Sequence, residues 1–342
     1  MRPLRSPDKV TSADVARLAG VSQSAVSRVF TPGASASRET VAKVRAAADQ
    51  LGYRPNVLAR AMITGRSRII GLVVAYFENQ FYPLVLERLS HALQDRGYHV
   101  LVFMADNAAD KVEQVVQELL DYQVDGLITA SVAMSNDLTT RCLLAGIPVV
   151  NFNRGQDDPR LSEVTSDNLA GGRRAAEFLI AGGHSRIAHI MGWQGSSTGR
   201  DRAAGFREAM AAAGLPPFAM IDGAYDRDRA AEVARDLCAG PERPDAIFVG
   251  NDHMAFAVMD ALRHDLGLRI PEDISVVGYD DVPMAAWPSY DLTTIRQPVN
   301  RMVAATVEAM LGQIEGDHAP RRIRIDGPLV VRRSARKPEG QD

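Results

Sequence analysis

From Ile69 to Asp281 the chain repeats one rhythm: a short apolar run, a loop, an amphipathic helical stretch, then another apolar run. The runs of strand length are IIGLVVAYF, YHVLVFMA, DGLITAS, IPVVNFN, RIAHIMG, AMIDGAY, DAIFVGN and DISVVGYDD, with helical patterns such as YPLVLERLSHALQDRG and RDRAAGFREAMAAAG between them. Apolar strands alternating with helices predict parallel sheets covered on both faces, an α/β fold. The pattern falls into two similar sets. It breaks near TSDNLAGGRRAAEFL (165–179) and returns near TTIRQPVNRMVAA (293–305), so two lobes with parallel sheets are expected.

The first 66 residues follow a helical period instead. In TSADVARLAG, Thr11 and Asp14 form a T-x-x-D capping box that starts a helix with Val15 and Leu18 facing inward. Ala16 and Ala19 let a second helix cross closely, Gly20 supplies the positive φ of a tight turn, and Ser22 caps the next helix. A third helix begins at Ser37 to Thr40, with Val41, Val44, Ala48 and Leu51 as its apolar stripe. At 100° per residue, Gln23, Ser24, Ser27 and Arg28 of VSQSAVSRVF share one arc, and Ala25, Val26, Val29 and Phe30 the other. The polar arc holds an amide, two hydroxyls and a guanidinium, with no acid. Three short helices, a glycine turn and this face together spell a helix-turn-helix head.

Charge distribution sharpens that reading. Residues 1–66 hold eleven Lys/Arg against four Asp/Glu, a charge of +7, which leaves −10 for the rest of a chain whose total is −3. A small basic head on an acidic body predicts that only the head meets a polyanion. Arg28 suits the O6 and N7 edge of guanine, Gln23 suits adenine, and the serines suit bases or phosphates. Beyond the head, YRPNVLARAMITGRS (53–67) offers Pro55, Asn56 as a cap, and about two turns of helix whose Ala59, Ala61 and Met62 can meet a partner copy. A helix so short is marginal alone and is expected to form when two copies meet on DNA.

The remaining composition mostly excludes. The two cysteines, Cys142 and Cys238, stand far apart in no motif, and the seven histidines lack ligand spacing, so neither a disulfide framework nor a metal site is expected. No G-x-G-x-x-G follows the first strand and no G-x-x-x-x-G-K-[ST] occurs, so no cofactor is expected. The opening MRPLRSPDKVTSADV lacks the apolar core of a signal peptide, and the longest apolar run is half a membrane span, so the expected location is the cytoplasm, with no membrane partner. GSSTG (195–199) matches G-x-S-x-G and raises a cytosolic hydrolase using Ser197 as the alternative from another class. That motif needs its serine on a sharp turn directly between strand and helix. Here Trp193 and Gln194 lengthen the loop, and no feature marks a partner such as Asp245 or His264.

TSADVARLAGVSQSAVSRVF, LGYRPNVLARAM, NDHMAFAVMDAL and ISVVGYDDVP together resemble the lactose/galactose repressor (LacI/GalR) family of bacterial transcription regulators, in order, from about residue 10 to residue 335. The resemblance implies a flexible N-terminus (1–9), a helix-turn-helix DNA-binding domain (10–55), a hinge helix (56–66) and an effector-binding and dimerisation body (67–337) laid out like periplasmic sugar-binding proteins. The N-lobe would comprise about 67–166 plus 298–326, and the C-lobe about 167–297 plus 327–337. Thr11, Ser22, Gln23, Ser24, Ser27 and Arg28 then become the candidate DNA contacts of the head. Asn56, Ala59 and Met62 are those of the hinge, with Met62 standing where the family wedges a leucine into the minor groove. The expected partners are double-stranded DNA carrying a palindromic operator, a small-molecule effector (a sugar or sugar derivative) and a second copy of the chain in a homodimer. The protein would act as a repressor, or as a corepressor-dependent or activating regulator.

In open α/β sheets ligands sit off the carboxyl ends of strands, so the polar residues there are the effector candidates. They are Asn79, Phe81, Tyr82, Asn153, Arg202, Tyr225, Asn251, Asp280 and Gln297. Arg202 and Asp280 suit adjacent hydroxyls, and Phe81 or Tyr225 could cover the apolar face of a sugar. Arg154 could bind a carboxylate, but a surface salt bridge is the stronger expectation.

Overall fold

The computed structural model describes residues 10–31, 34–54, 66–105, 109–132, 134–338 and 340. The N-terminal residues 1–9 and the hinge candidates Asn56, Ala59 and Met62 lie outside the described residues. Contacts divide the chain into two units, Met1–Ser67 and Arg68–Asp342.

The first unit contains α1 (Ser12–Ala19), α2 (Gln23–Val29) and α3 (Arg38–Leu51). Thr11 and Asp14 form the reciprocal capping box, Gly20 leaves α1 at φ 65°, and Ser22 and Ser37 each accept a backbone N–H of the helix they start. Val15, Ala16, Val26, Val44, Ala47 and Ala48 make the core, with Val29, Phe30 and Tyr53 against it. Leu18, expected inward, is 45% exposed. On the helical wheel Val15, Ala19 and Ala16 span one 100° arc, and Leu18 falls about 60° outside its edge.

The second unit holds two six-stranded sheets. The first runs β11-β5-β4-β3-β1-β2 and the second β12-β10-β9-β8-β6-β7, where β1 is Ile69–Val74, β2 His99–Met104, β3 Gly126–Ala130, β4 Val149–Phe152, β5 Ser162–Ser166, β6 Ile187–Met191, β7 Ala219–Asp222, β8 Ala246–Val249, β9 Ser275–Asp280, β10 Thr293–Arg296, β11 Arg322–Ile325 and β12 Leu329–Val330. Every pairing is parallel except β10 with β12. The chain passes between the sheets three times, after β5, after β10 and after β11.

Helices cover both faces of each sheet. On the first, α4 (Phe81–Gln94) and α11 (Val299–Ile314) lay Leu89, Leu93, Met302 and Met310 against Ile70, Leu72, Ile128 and Val150. Its other face meets Val116 and Leu119 of α5 (Ala109–Asp121) and Leu138 and Cys142 of α6 (Asn136–Leu144). On the second, α7 (Asn168–Ala181) and α8 (Ser197–Ala212) pack Ala175, Leu179, Phe206 and Met210 on Ile187, Phe248 and Val277. There α9 (Arg227–Cys238) and α10 (Asp252–Asp260) close the opposite face. Each fully buried Leu, Ile, Phe or Met contributes about 1.5–3 kcal/mol. Four strands were not legible as apolar runs: β5 (SEVTS), β10 (TTIR), β11 (RIRI) and the two-residue β12.

His189 lies inside this core, stacked on Phe248 at 4.4 Å, with Nδ1 donating to the Phe248 carbonyl at 2.9 Å. Complete burial disfavours the imidazolium and pushes its pKa down from the ordinary 6.5 to about 3. A group whose folded pKa is depressed stabilises the fold above its unfolded pKa and loses that contribution as pH falls toward the folded one. The wild type should therefore lose about 1.6 kcal/mol relative to His189→Gln between pH 6.5 and pH 5, read by urea unfolding at both pH values. Parallel pH profiles for the two proteins would contradict this.

Candidate functional site

The carboxyl ends of the two sheets face each other within the second unit, and a narrow polar cavity lies between them. It is lined by Tyr76, Asn79, Tyr82, Asn153, Arg154, Thr198, Arg202, Tyr225, Asn251 and Asp280. Each residue arrives there because a strand has just ended or a helix has just begun. Asn153 follows β4 at φ 68°, Tyr225 follows β7 at φ 60°, and Asp280 ends β9 at φ 131°. Side chains held in such conformations cost on the order of 1–3 kcal/mol each, so the surrounding packing must impose them. Asn251 caps α10 through Met254 N–H, and Thr198 and Arg202 occupy the first turns of α8.

Arg202 is the centre of the arrangement and is only 3% exposed. Its Nε donates to Asn168 Oδ1 at 2.8 Å and its Nη1 to the Gly250 carbonyl at 2.6 Å. Its Nη2 stands 3.8 Å from Asp280 Oδ1, and the guanidinium lies 3.5 Å over the Tyr279 ring. Asp280 accepts from Asn79 Nδ2 of the opposite lobe at 3.2 Å and from Gln297 Nε2 at 2.7 Å. Burial raises the Asp280 carboxyl, and Arg202, Gln297 and Asn79 oppose the shift. Asp252 behind it is also raised, by burial first and by the Asp280 charge second. Thr294 Oγ1 at 2.6 Å and Val282 N at 3.0 Å are the donors that hold it.

On the opposite wall Asn153 Nδ2 donates to the Tyr82 hydroxyl at 3.1 Å, and that hydroxyl also takes a hydrogen bond from Ser131. Tyr225 closes the far side with its hydroxyl donating to Thr198 Oγ1 at 2.9 Å. Two buried acceptors in this neighbourhood, Asn153 Oδ1 and Gln297 Oε1, have no hydrogen-bond donor among the described residues.

Seven of the nine residues expected at strand ends therefore line one cavity. Gln297 stands just behind it, against Asp280. Phe81 does not reach it: its ring is 1% exposed in the first lobe's core, stacked on Phe152 at 6.3 Å, because it starts α4 on the face turned to the sheet. Arg154 is corrected too. Rather than lying at the surface it is 5% exposed and lines the cavity, where it donates to the Ser131 carbonyl at 2.8 Å and stands 5.4 Å from the Trp193 ring. Tyr76 and Thr198 were missed, although both obey the strand-end rule that found the others.

Ser197 is the first residue of α8, capped by Ser196, and its Oγ accepts the Gly155 N–H at 2.9 Å. Asp245 precedes β8, at the end of the sheet away from the cavity, where it meets His184 at 3.4 Å and takes the N–H groups of Ser185 and Arg186.

In the first unit Gln23, Ser24, Ser27 and Arg28 all lie on α2, and all four are exposed. Gln23 Nε2 donates to Ser12 Oγ at 2.9 Å, which orients the amide from α1, and the Ser22 and Ser24 hydroxyls share a 2.9 Å hydrogen bond.

Comparison with known proteins decides what these two units are. Residues 11–56 match the lacI family of bacterial regulatory proteins, and residues 155–335 match the periplasmic binding protein-like domain. The HTH-type transcriptional repressor PurR of Photobacterium profundum is 32% identical over 332 residues, spanning 95% of this chain and 98% of that protein. The chain belongs to the LacI family of bacterial regulatory proteins. The ribose operon repressor of Escherichia coli (strain K12) is equally similar, 32% identical over 331 residues, covering 95% of this chain and 99% of the relative. Among solved structures, the lac repressor dimer bound to operator and the anti-inducer ONPF superposes with a TM-score of 0.86 at 28% identity, covering 96% of this chain and 99% of that one. This LacI-family member is a DNA-binding transcriptional regulator with an effector-binding body. Its relatives are regulators rather than enzymes.

The buried guanidinium yields a prediction for the regulator. Arg202→Ala would leave Asn168 Oδ1, the Gly250 carbonyl and Asp280 short of donors, and should cost about 3–5 kcal/mol of body stability in urea unfolding. Asp280→Asn removes a carboxyl already pushed toward its neutral form and should cost less than half as much. Equal losses would contradict the geometry.

Proposed function

We propose that this protein is a transcriptional repressor whose homodimer grips a palindromic operator and releases or tightens it when a small polyhydroxylated effector enters the inter-lobe cleft. One observation carries the effector class. The cavity joins a fixed donor, Arg202, to the Asp280 carboxylate, and adds a buried acceptor, Asn153 Oδ1, that lacks a donor of its own among the described residues. A buried acceptor without a partner costs on the order of 1–3 kcal/mol, and a ligand rich in hydroxyl groups supplies the missing donor. A flat, mostly apolar ring offers fewer. The ribose operon repressor is named for a pentose, which is consistent with this chemistry.

The remaining roles follow from position. Asn79, Tyr82, Asn153, Arg202, Tyr225, Asn251 and Asp280 contact the effector, and Gln297 orients Asp280. Gln23, Ser24 and Arg28 meet base edges, while Thr11, Ser22 and Ser27 meet phosphates. Asn56, Ala59 and Met62 contribute the hinge contacts within residues 56–66, between a head of residues 10–55 and the body. The protein performs no catalysis of its own. Ser197 is not a nucleophile in this reading, because its hydroxyl hydrogen-bonds to Gly155 and, among the described residues, no histidine joins it. No helix among the described residues is long and apolar enough to cross a membrane. An operator-binding role places the protein in the cytoplasm.

A thermal-shift screen over pentoses, hexoses, sugar acids, polyols and nucleobases tests the effector class. A polyhydroxylated compound at a hundred times its dissociation constant should stabilise the body by about 2.7 kcal/mol. Stabilisation by nucleobases alone would overturn the class. For the head, Arg28→Ala should lose about 1–3 kcal/mol and relax preference at one base pair per half-site, measured by anisotropy on an operator substitution series. A uniform loss on every sequence would make Arg28 a phosphate contact.

A further inference from the structure

The GSSTG turn has a use that neither effector contact nor DNA binding accounts for. Two loops meet across the cleft mouth: Arg154–Gly155 after β4 in the first lobe, and Trp193–Ser197 after β6 in the second. The Gly155 N–H donates to Ser197 Oγ at 2.9 Å, and the Arg154 guanidinium stands 5.4 Å from the Trp193 ring centroid. Both loops are built to hold these groups still. In the second lobe Ser196, not Ser197, does the internal work: its hydroxyl donates to the Trp193 carbonyl at 2.7 Å and accepts the Gly199 N–H at 3.1 Å. The Trp193 ring lies so close over Gly195 that a Cβ there would sit 2.2 Å from it. In the first lobe Glu163, 6% exposed, accepts the Gln156 N–H at 3.3 Å, and its carboxylate lies where a Cβ on Gly155 would be, 2.6 Å away. The Gly155 N–H is thus presented by its own lobe, and the Ser197 hydroxyl by the other.

We propose that Ser197 is the closure latch of the body. Its hydroxyl accepts the Gly155 N–H only when the lobes are shut, and so sets the ratio of closed to open body on which effector and operator both act. The proposal rests on the reading of the second unit as an effector domain. Its test, however, needs no effector: a failed ligand screen leaves the latch standing, and a failed latch leaves the effector site standing. Removing one net hydrogen bond should change the closed-to-open ratio by about 2- to 10-fold.

The Asn153 and Arg154 amides are internal references, because they donate to Val164 and Phe152 carbonyls of their own lobe, each at 2.8 Å. Hydrogen exchange resolved to single amides is measured on the full chain as wild type, Ser197→Ala and Ser197→Thr. The Gly155 amide should exchange at least about tenfold more slowly than an unprotected amide in the wild type. It should lose most of that protection in Ser197→Ala and regain it in Ser197→Thr, which restores a hydroxyl. Asn153 and Arg154 should be unchanged in all three. Free exchange at Gly155 in the wild type, or equal protection in Ser197→Ala, overturns the latch. Loss of protection at Asn153 and Arg154 as well would show that Ser197 props its neighbour loop instead of joining the lobes, and overturns it equally.

Discussion

A guanidinium that is 3% exposed must be satisfied on every side, and the body is arranged around satisfying Arg202. Taking such a charge out of water costs several kcal/mol unless hydrogen bonds and an opposite charge replace the solvent. Here one hydrogen bond comes from α7, one from the chain after β8, an aromatic face from β9 and a carboxylate from the end of the same strand. The two helices that supply Arg202 and Asn168 approach closely enough that a Cβ on Gly172 would lie 2.1 Å from the Arg202 carbonyl oxygen. Three of the four partners belong to segments that end at the cleft, so satisfying the charge also fixes the wall that a ligand would touch.

The same demand links the lobes. Asp280 balances Arg202 within the second lobe, yet its other oxygen takes a donor from Asn79 of the first. Gln297, the remaining donor to Asp280, sits where the chain crosses from one sheet to the other. A change in how Asp280 is bonded therefore acts on one wall, on the opposite wall and on a crossover at once. Coupling between distant sites needs a segment with two discrete arrangements, and the three crossovers are the chain segments through which a movement of one sheet against the other would have to pass.

Much of this was legible in the sequence because the signals are local. Capping residues, the Gly20 turn and the acid-free arc of α2 need no tertiary context. The strand-end rule likewise selected residues by position alone, which is why Arg202, Asp280 and Asn153 were found. It erred at Phe81, since position after a strand does not say which face of the following helix turns inward. Strand β5 was illegible for a related reason. SEVTS reads as a polar loop, yet every residue in it is buried, because Ser162 takes donors from Gln313 and Arg321 and Ser166 bonds to Asn168 and Tyr279. Those partners lie up to 159 residues away, and no window on the sequence contains them. Arg154 was misjudged because burial of a charge depends on Ser131 and Trp193, both distant in the chain.

The central claim is that the cleft and the DNA-binding head share one equilibrium, and thermodynamic reciprocity tests it most directly. With the compound that stabilises the body, operator affinity is titrated with and without that compound by anisotropy, and affinity for the compound is titrated with and without operator by calorimetry. Coupling between two sites must be the same free energy read from either end. The account predicts two equal factors, each about 5- to 150-fold. A compound that binds the cleft tightly and leaves operator affinity unchanged would contradict it.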